Sequence, residues 1–172
     1  MHAPIPIDRE VPFRGGDIIV SKTDLVGRIT YANKTFCLTA GYREAELIGR
    51  PHSIIRHPDM PRAVFKLLWD TIGSGKEIFA YVKNATKSGE YYWVFAHVTP
   101  SFDRGKNIVA YHSNRRVPRR EAIRAIEPLY ASVLAEERRH KNGKEALAAG
   151  VDCVVNALRS QGKSYEEFVL AL

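Results

Sequence analysis

In the first two thirds of the chain the apolar positions come in short blocks cut by glycine and proline, and in the last third they fall at helical spacing on a charged background. Asp17 to Lys22 and Arg28 to Ala32 are β-rich runs separated by Asp24 and Gly27, which predicts a hairpin. Asn33 precedes Lys34 to Ala40 and Gly41 follows it, the signature of a short helix capped at both ends. Arg43 to Leu47 reads as another short helical piece, broken by Gly49-Arg50-Pro51. Val64, Leu67, Leu68 and Ile72 keep a helical period over Ala63 to Ile72, with Gly73 and Gly75 as the stop. Ile78 to Lys87 and Glu90 to Thr99 read as strands around the turn Lys87-Ser88-Gly89, and Ile108 to Asn114 as a further strand. The predicted order is two strands, several short helices, then three strands, an α+β arrangement.

The two ends differ from this middle. Residues 1–16 mix Ile5, Ile7, Val11 and Phe13 with prolines and close on Gly15-Gly16, which predicts an extended cap docked on another surface. From Arg119 to Arg139, Ile123, Ile126, Tyr130, Val133 and Leu134 form a narrow apolar stripe on a charged rod that must pack on the domain or on a partner. Asn142-Gly143 ends it, Glu145 to Arg159 is a second amphipathic helix, and Ser164 with Glu167 forms a capping box for a third. The division expected is a cap over 1–16, an α+β domain over 17–118 and a helical segment over 119–172.

At 172 residues and 45% hydrophobic content, one domain with a real core and an appendage can fold alone. No apolar run reaches about eighteen residues, so no transmembrane segment is expected. The N-terminus lacks a basic start followed by an apolar block, and a cytoplasmic location follows by default. Cys37 and Cys153 are too few and too far apart for a disulfide framework or a zinc site. The net charge of +7 is concentrated between Arg115 and Lys144, where nine Lys or Arg stand against four Asp or Glu. A charge-rich helix without a nucleic-acid motif is a local basic patch, so no nucleic-acid partner is expected.

The stretch Gly49 to Pro61, GRPHSIIRHPDMP, is too polar for a core segment and too apolar for a linker. Its proline spacing forbids a long helix and frames Ile54, Ile55, Arg56, His57 and Asp59 on short turns. No triad, metal-ligand cluster or carboxylate pair points to a turnover enzyme.

TDLVGRITYAN, GYREAELIGRP and VKNATKSGEYYW resemble the punctuation of PAS domains, and RHPDMP followed by a helix with Trp69 is similar to the flavin-binding PAS domain of bacterial aerotaxis receptors. The resemblance covers roughly residues 17 to 135. It implies a five-stranded antiparallel sheet with short helices on one face, non-covalent FAD, and a redox or oxygen sensor that is not an enzyme. The positions carried over are Asn33, Arg56, His57, Asp59, Trp69 and Asn84. Asn84 has the donor and acceptor for a ring edge, Arg56 a fork for phosphate, and Trp69 a face for stacking. His57 and Asp59 fix Arg56 or meet the adenosine. Plainer roles stand beside these: Asn33 as helix cap, Trp69 as core, Arg56 and Asp59 as an ion pair, and His57 as a surface or satisfied core histidine.

Other readings stay open. Light-oxygen-voltage sensors use a cysteine in the region that here reads Ser53 to Arg56, so an adduct is not expected. A haem-binding gas sensor would use His52 or His57 as axial ligand. A PAS interaction module would dimerise and leave its pocket without a redox role. If Asn84 faces the pocket, Tyr92, Val94, Ala96 and Val98 do too, and Tyr91, Trp93, Phe95 and His97 face outward. That aromatic stripe is expected to be covered by the cap or the helix from Arg119, and to form an interface by exchange, in a homodimer or with a chemoreceptor or other signalling protein. The aerotaxis receptors continue into a membrane anchor and a signalling domain that this sequence does not resemble. The chain is read as a piece of a longer protein or as a free-standing sensor acting through a partner.

Overall fold

The computed structural model describes residues 5–172; the first four residues of the expected cap lie outside them. Five strands, β1 (Ile19–Thr23), β2 (Ile29–Ala32), β3 (Ile78–Ala85), β4 (Tyr91–Phe102) and β5 (Ile108–Arg116), form one sheet in the order β2-β1-β5-β4-β3. Every neighbouring pair is antiparallel. Between β2 and β3 come α1 (Lys34–Ala40), α2 (Glu44–Leu47), a 3-10 turn over His52–Ile55 and α3 (Arg62–Gly73). After β5 come α4 (Arg120–Arg138), α5 (Gly143–Arg159) and α6 (Tyr165–Ala171). The five-stranded antiparallel sheet and the C-terminal helices are those expected, with ends shifted by a few residues.

The strand alternation decides what each face meets. Ala80, Val82, Tyr92, Val94, Ala96, Tyr111, Ser113 and Arg115 are buried on the face toward α1 and α3. The opposite face carries Phe79, Tyr81, Trp93, Phe95 and His97, stacked in a ladder from Tyr81 through Phe95 and Phe79 to His97. Helices α4 and α6 cover it. Tyr130 of α4 stacks on Trp93 with ring centroids 6.4 Å apart and donates its hydroxyl to the Tyr81 carbonyl at 2.8 Å. Phe168 and Val169 of α6 are buried as well, and α6 lies against β3. Burying large side chains of this kind contributes about 1.5–3 kcal/mol each.

The stripe expected as a partner interface is therefore occupied within the chain. Trp93 is only 4% exposed, while Tyr91 and Phe95 are half-buried. A partner reaches Trp93 only after α4 has left.

The N-terminal segment docks on the start of β4. Ile7 N donates to Gly89 O at 2.8 Å, Tyr91 N to Arg9 O at 3.0 Å and Val11 N to Tyr91 O at 2.7 Å. Glu10 then pairs with Arg120 at the start of α4 at 2.6 Å, so cap and tail meet. Gly89 makes this possible, because its φ is +99° and a Cβ there would stand 2.1 Å from Ile5 O. Gly89→Ala is expected to release the segment and destabilise the chain by about 1 to 3 kcal/mol. Urea unfolding measures it; an unchanged midpoint would show that the contact does not hold the segment.

Candidate functional site

The short helices do not fill the space over the inner sheet face, and a cavity of about 280 Å³ remains. Phe65, Leu68, Trp69 and Ile72 of α3 form one wall, and Val82, Val94, Ala96 and Val98 of the sheet form another. Asn84, Ser21, Thr23, His52, Ser113, Arg56 and Arg115 bring polar groups to it. An apolar slot with a few convergent polar groups is the usual form of a small-molecule site.

Three of the six residues expected to hold a cofactor border this cavity: Arg56, Trp69 and Asn84. Asn84 is buried on β3, in register with Tyr92. Trp69 is 36% exposed, meets Tyr111 edge-on at 5.6 Å, and lies so close to Gly27 that a Cβ there would stand 2.9 Å from its ring. It roofs the mouth. Arg56 donates to the Met60 carbonyl at 2.8 Å and lies over the Phe65 ring at 4.8 Å.

Asn33, His57 and Asp59 do not line the cavity. The Asn33 Oδ1 accepts from Phe36 N at 2.9 Å and Val20 N at 3.0 Å, and its amide donates to Ile18 O at 2.8 Å. It caps α1 and ties that helix to β1. His57 is buried against Tyr91, and its Nδ1 accepts from Asp59 N at 3.1 Å. Burial, and then the Lys83 charge, hold its pKa below the ordinary value. The Asp59 carboxylate reaches out to Lys83 Nζ at 2.8 Å. RHPDMP is thus a corner closed mostly on itself: Met60 N donates to His57 O at 3.0 Å, and Met60 Sδ accepts from Lys83 N at 3.3 Å. Its proline-fixed turns spend their polar groups locally, and Arg56 alone reaches the cavity.

The group that sequence reasoning missed is Arg115. It is 3% exposed on β5, donates from Nε to Ser113 Oγ at 3.0 Å and from one Nη to Ser21 Oγ and to His52 Nε2, the latter at 2.8 Å. The other guanidinium nitrogen, Nη1, is buried without a partner among the described residues. Every group it bonds is neutral. Burial brings the Arg115 pKa down to about 10, so the cation persists at neutral pH. His52 accepts this bond only as a neutral ring protonated at Nδ1, and burial followed by the Arg115 charge lowers its pKa to about 3. Phe36 supports both, with its ring stacked on His52 and under the guanidinium at 4.9 Å.

A buried cation beside an apolar slot can donate to the negatively polarised edge of a planar ligand. The cavity suits a fused ring system but falls short of a whole dinucleotide, whose remainder would lie past the mouth at Trp69. Flavin fits this donor set. Cys37 does not line the cavity, and burial raises its thiol pKa. Among the described residues there is no group of three His, Cys, Asp or Glu able to hold a metal ion, and no helix long and apolar enough to cross a membrane.

The aerotaxis receptor of Escherichia coli (strain K12) is 40% identical over 141 residues, covering 80% of this chain and 28% of that protein. A nitrogen fixation regulatory protein of Klebsiella pneumoniae is 29% identical over 83 residues, covering 48% of this chain and 17% of that protein. The light-state structure of the blue-light photoreceptor Aureochrome1 LOV aligns with a TM-score of 0.55 at 25% identity, over 71% of this chain and 91% of that one. The matched region spans less than a third of the length of the aerotaxis receptor and of the nitrogen fixation regulatory protein. The PAS fold profile matches residues 29–114. With the strand order and helical insertion described above, this places the chain in the PAS fold family.

Proposed function

We propose that this chain is a flavin-binding redox or oxygen sensor that holds FAD non-covalently and acts through a signalling partner rather than by turnover. The observation that carries this reading is the buried Arg115 guanidinium, which lines an apolar cavity that also presents Asn84 and whose Nη1 has no partner among the described residues. Similarity to an aerotaxis receptor and to a blue-light photoreceptor supports it. FAD supplies a redox change that alters the charge and hydrogen-bonding pattern of its ring. Asn84 offers a donor and an acceptor to that ring, and Arg115 favours the form with more negative charge. Trp69 and the α3 wall keep water from it.

The haem alternative loses support from the same geometry. His52 Nε2 is held by Arg115 and Ser21, and His57 does not line the cavity, so neither ring is placed as an axial ligand. A dimer or receptor contact, in the cytoplasm, belongs to the proposal through the face now under α4. The chain purified under air is expected to be yellow and to release FAD on denaturation, and Asn84→Ala to lose most of it. A Soret band, or a colourless protein that does not take up added FAD, would overturn this reading.

A further inference from the structure

Helix α3 has no cap of its own. Pro61 occupies its N-cap position and cannot supply a side-chain acceptor. The acceptor comes from α4 instead: Glu137 Oε1 accepts from Ala63 N at 2.7 Å and Oε2 from Arg62 N at 3.0 Å, across 74 and 75 residues of chain. Glu137 is only 6% exposed, although it belongs to the charged rod. A carboxylate on the first amides of a helix is favoured by both hydrogen bonding and the helix dipole.

A second observation shows that the site is fitted. Gly150 of α5 lies directly over this carboxylate, and a Cβ there would stand 2.7 Å from Glu137 Oε1 and 3.1 Å from the Ala63 Cβ. Glycine costs helix stability in the interior of α5, so its place there has a packing reason: it lets α3, α4 and α5 meet at one point. Arg62 adds a longer contact, Nη1 to Gly143 O at 3.4 Å.

The helix so capped is the cavity wall. Phe65, Leu68, Trp69 and Ile72 project from α3 into the site, and its first turn follows the Met60 carbonyl that Arg56 holds. We infer that Glu137 is the coupling residue between the cavity and the α4–α5 hairpin, capping α3 so that occupancy of the cavity and docking of the hairpin are linked through one helix. This rests on the reading of the cavity as a flavin site for its ligand, though not for the cap. Such linkage is reciprocal: a ligand that shifts α3 changes hairpin docking, and loss of the hairpin changes ligand affinity by the same factor.

Hydrogen exchange of the full chain, with and without added FAD, tests the inference in the wild type, Glu137→Gln, Glu137→Ala and Gly150→Ala, with Glu121→Gln as an exposed control. In the unliganded chain Glu137→Ala and Gly150→Ala are expected to lower protection of the Arg62 and Ala63 amides and of α4–α5 at least tenfold, while β3 to β5 keep theirs; Glu137→Gln, which retains one acceptor oxygen, falls between. An equal loss throughout the chain, or none, overturns the cap. FAD is expected to change α4–α5 exchange in the wild type and not in Glu137→Ala, and to bind Glu137→Ala with a different Kd. The same FAD response in both proteins overturns the coupling. If FAD does not bind the wild type at all, the flavin reading and the linkage fall together, and the unliganded exchange still decides the cap.

Discussion

Replacing Arg115 with methionine is expected to leave the unliganded chain as stable as before, or more so, and to weaken its hold on reduced flavin about tenfold to a hundredfold. The two halves have opposite signs for one reason. In the unliganded chain the Arg115 side chain is a desolvated cation that, among the described residues, donates only to Ser113, Ser21 and neutral His52. Replacing it with an apolar group of similar volume removes the desolvation cost of the cation, while Ser21 Oγ and His52 Nε2, 3.2 Å apart, keep each other as partners. With an anionic ring edge in the cavity the same cation finds the partner it lacks, and a charged hydrogen bond contributes about 1.5–3 kcal/mol, where about 1.4 kcal/mol is a factor of ten. Because the contact favours the reduced form over the oxidised, the midpoint potential should fall by about 30 mV per factor of ten for a two-electron couple. Urea unfolding of the unliganded chain and spectroelectrochemical titration of the flavin-loaded one measure the two effects. An unchanged potential would remove Arg115 from the site, and a strongly destabilised unliganded chain would make it a structural residue.

That Arg115 escaped the sequence reading has a physical explanation. It stands beside Arg116 at the head of a basic segment, and clustered arginines are usually solvated. The signal was nevertheless present in the strand period. Tyr111, Ser113 and Arg115 share the parity of the inward face, as their burial shows. The same alternation in β4 correctly put Val94, Ala96 and Val98 toward the cavity, because β4 is long and its register is pinned by buried residues on both faces. The RHPDMP corner was harder to read. Sequence places polar side chains in a proline-rich string but does not say whether they point outward to a ligand or back onto their own backbone, as His57 does to Asp59 N. Asn33 turned on the same ambiguity, and its Oδ1 went to helix and strand amides. Glu137 was out of reach, since nothing local separates the one charged residue of α4 that caps a helix 74 residues away from its solvated neighbours.

The neutral His52 ring should make the fold lose stability early on acidification, between about pH 6.5 and 5, before most carboxylates titrate. Its pKa is about 3 in the folded chain against an ordinary value of 6.5. Below pH 6.5 the unfolded chain therefore takes up a proton that the folded chain refuses, so stability present above that pH is lost as pH falls toward 3. The slope for one such group approaches 1.4 kcal/mol per pH unit, or about 2 kcal/mol by pH 5. His57 and His112 are also lowered by burial and add to the same window, while Asp59 and Glu90, held below the usual carboxylate range, act at lower pH. Urea midpoints at pH 7.5, 6 and 5 are expected to fall less in His52→Gln than in the wild type, because glutamine carries no proton to refuse. Arg115→Met provides the internal check. The Arg115 charge is the second cause of the low His52 pKa, so removing it should raise that pKa and shallow the acid slope without removing it, the remainder being desolvation. An acid slope untouched by either substitution would place the early proton uptake elsewhere and separate His52 from the guanidinium on the cavity floor.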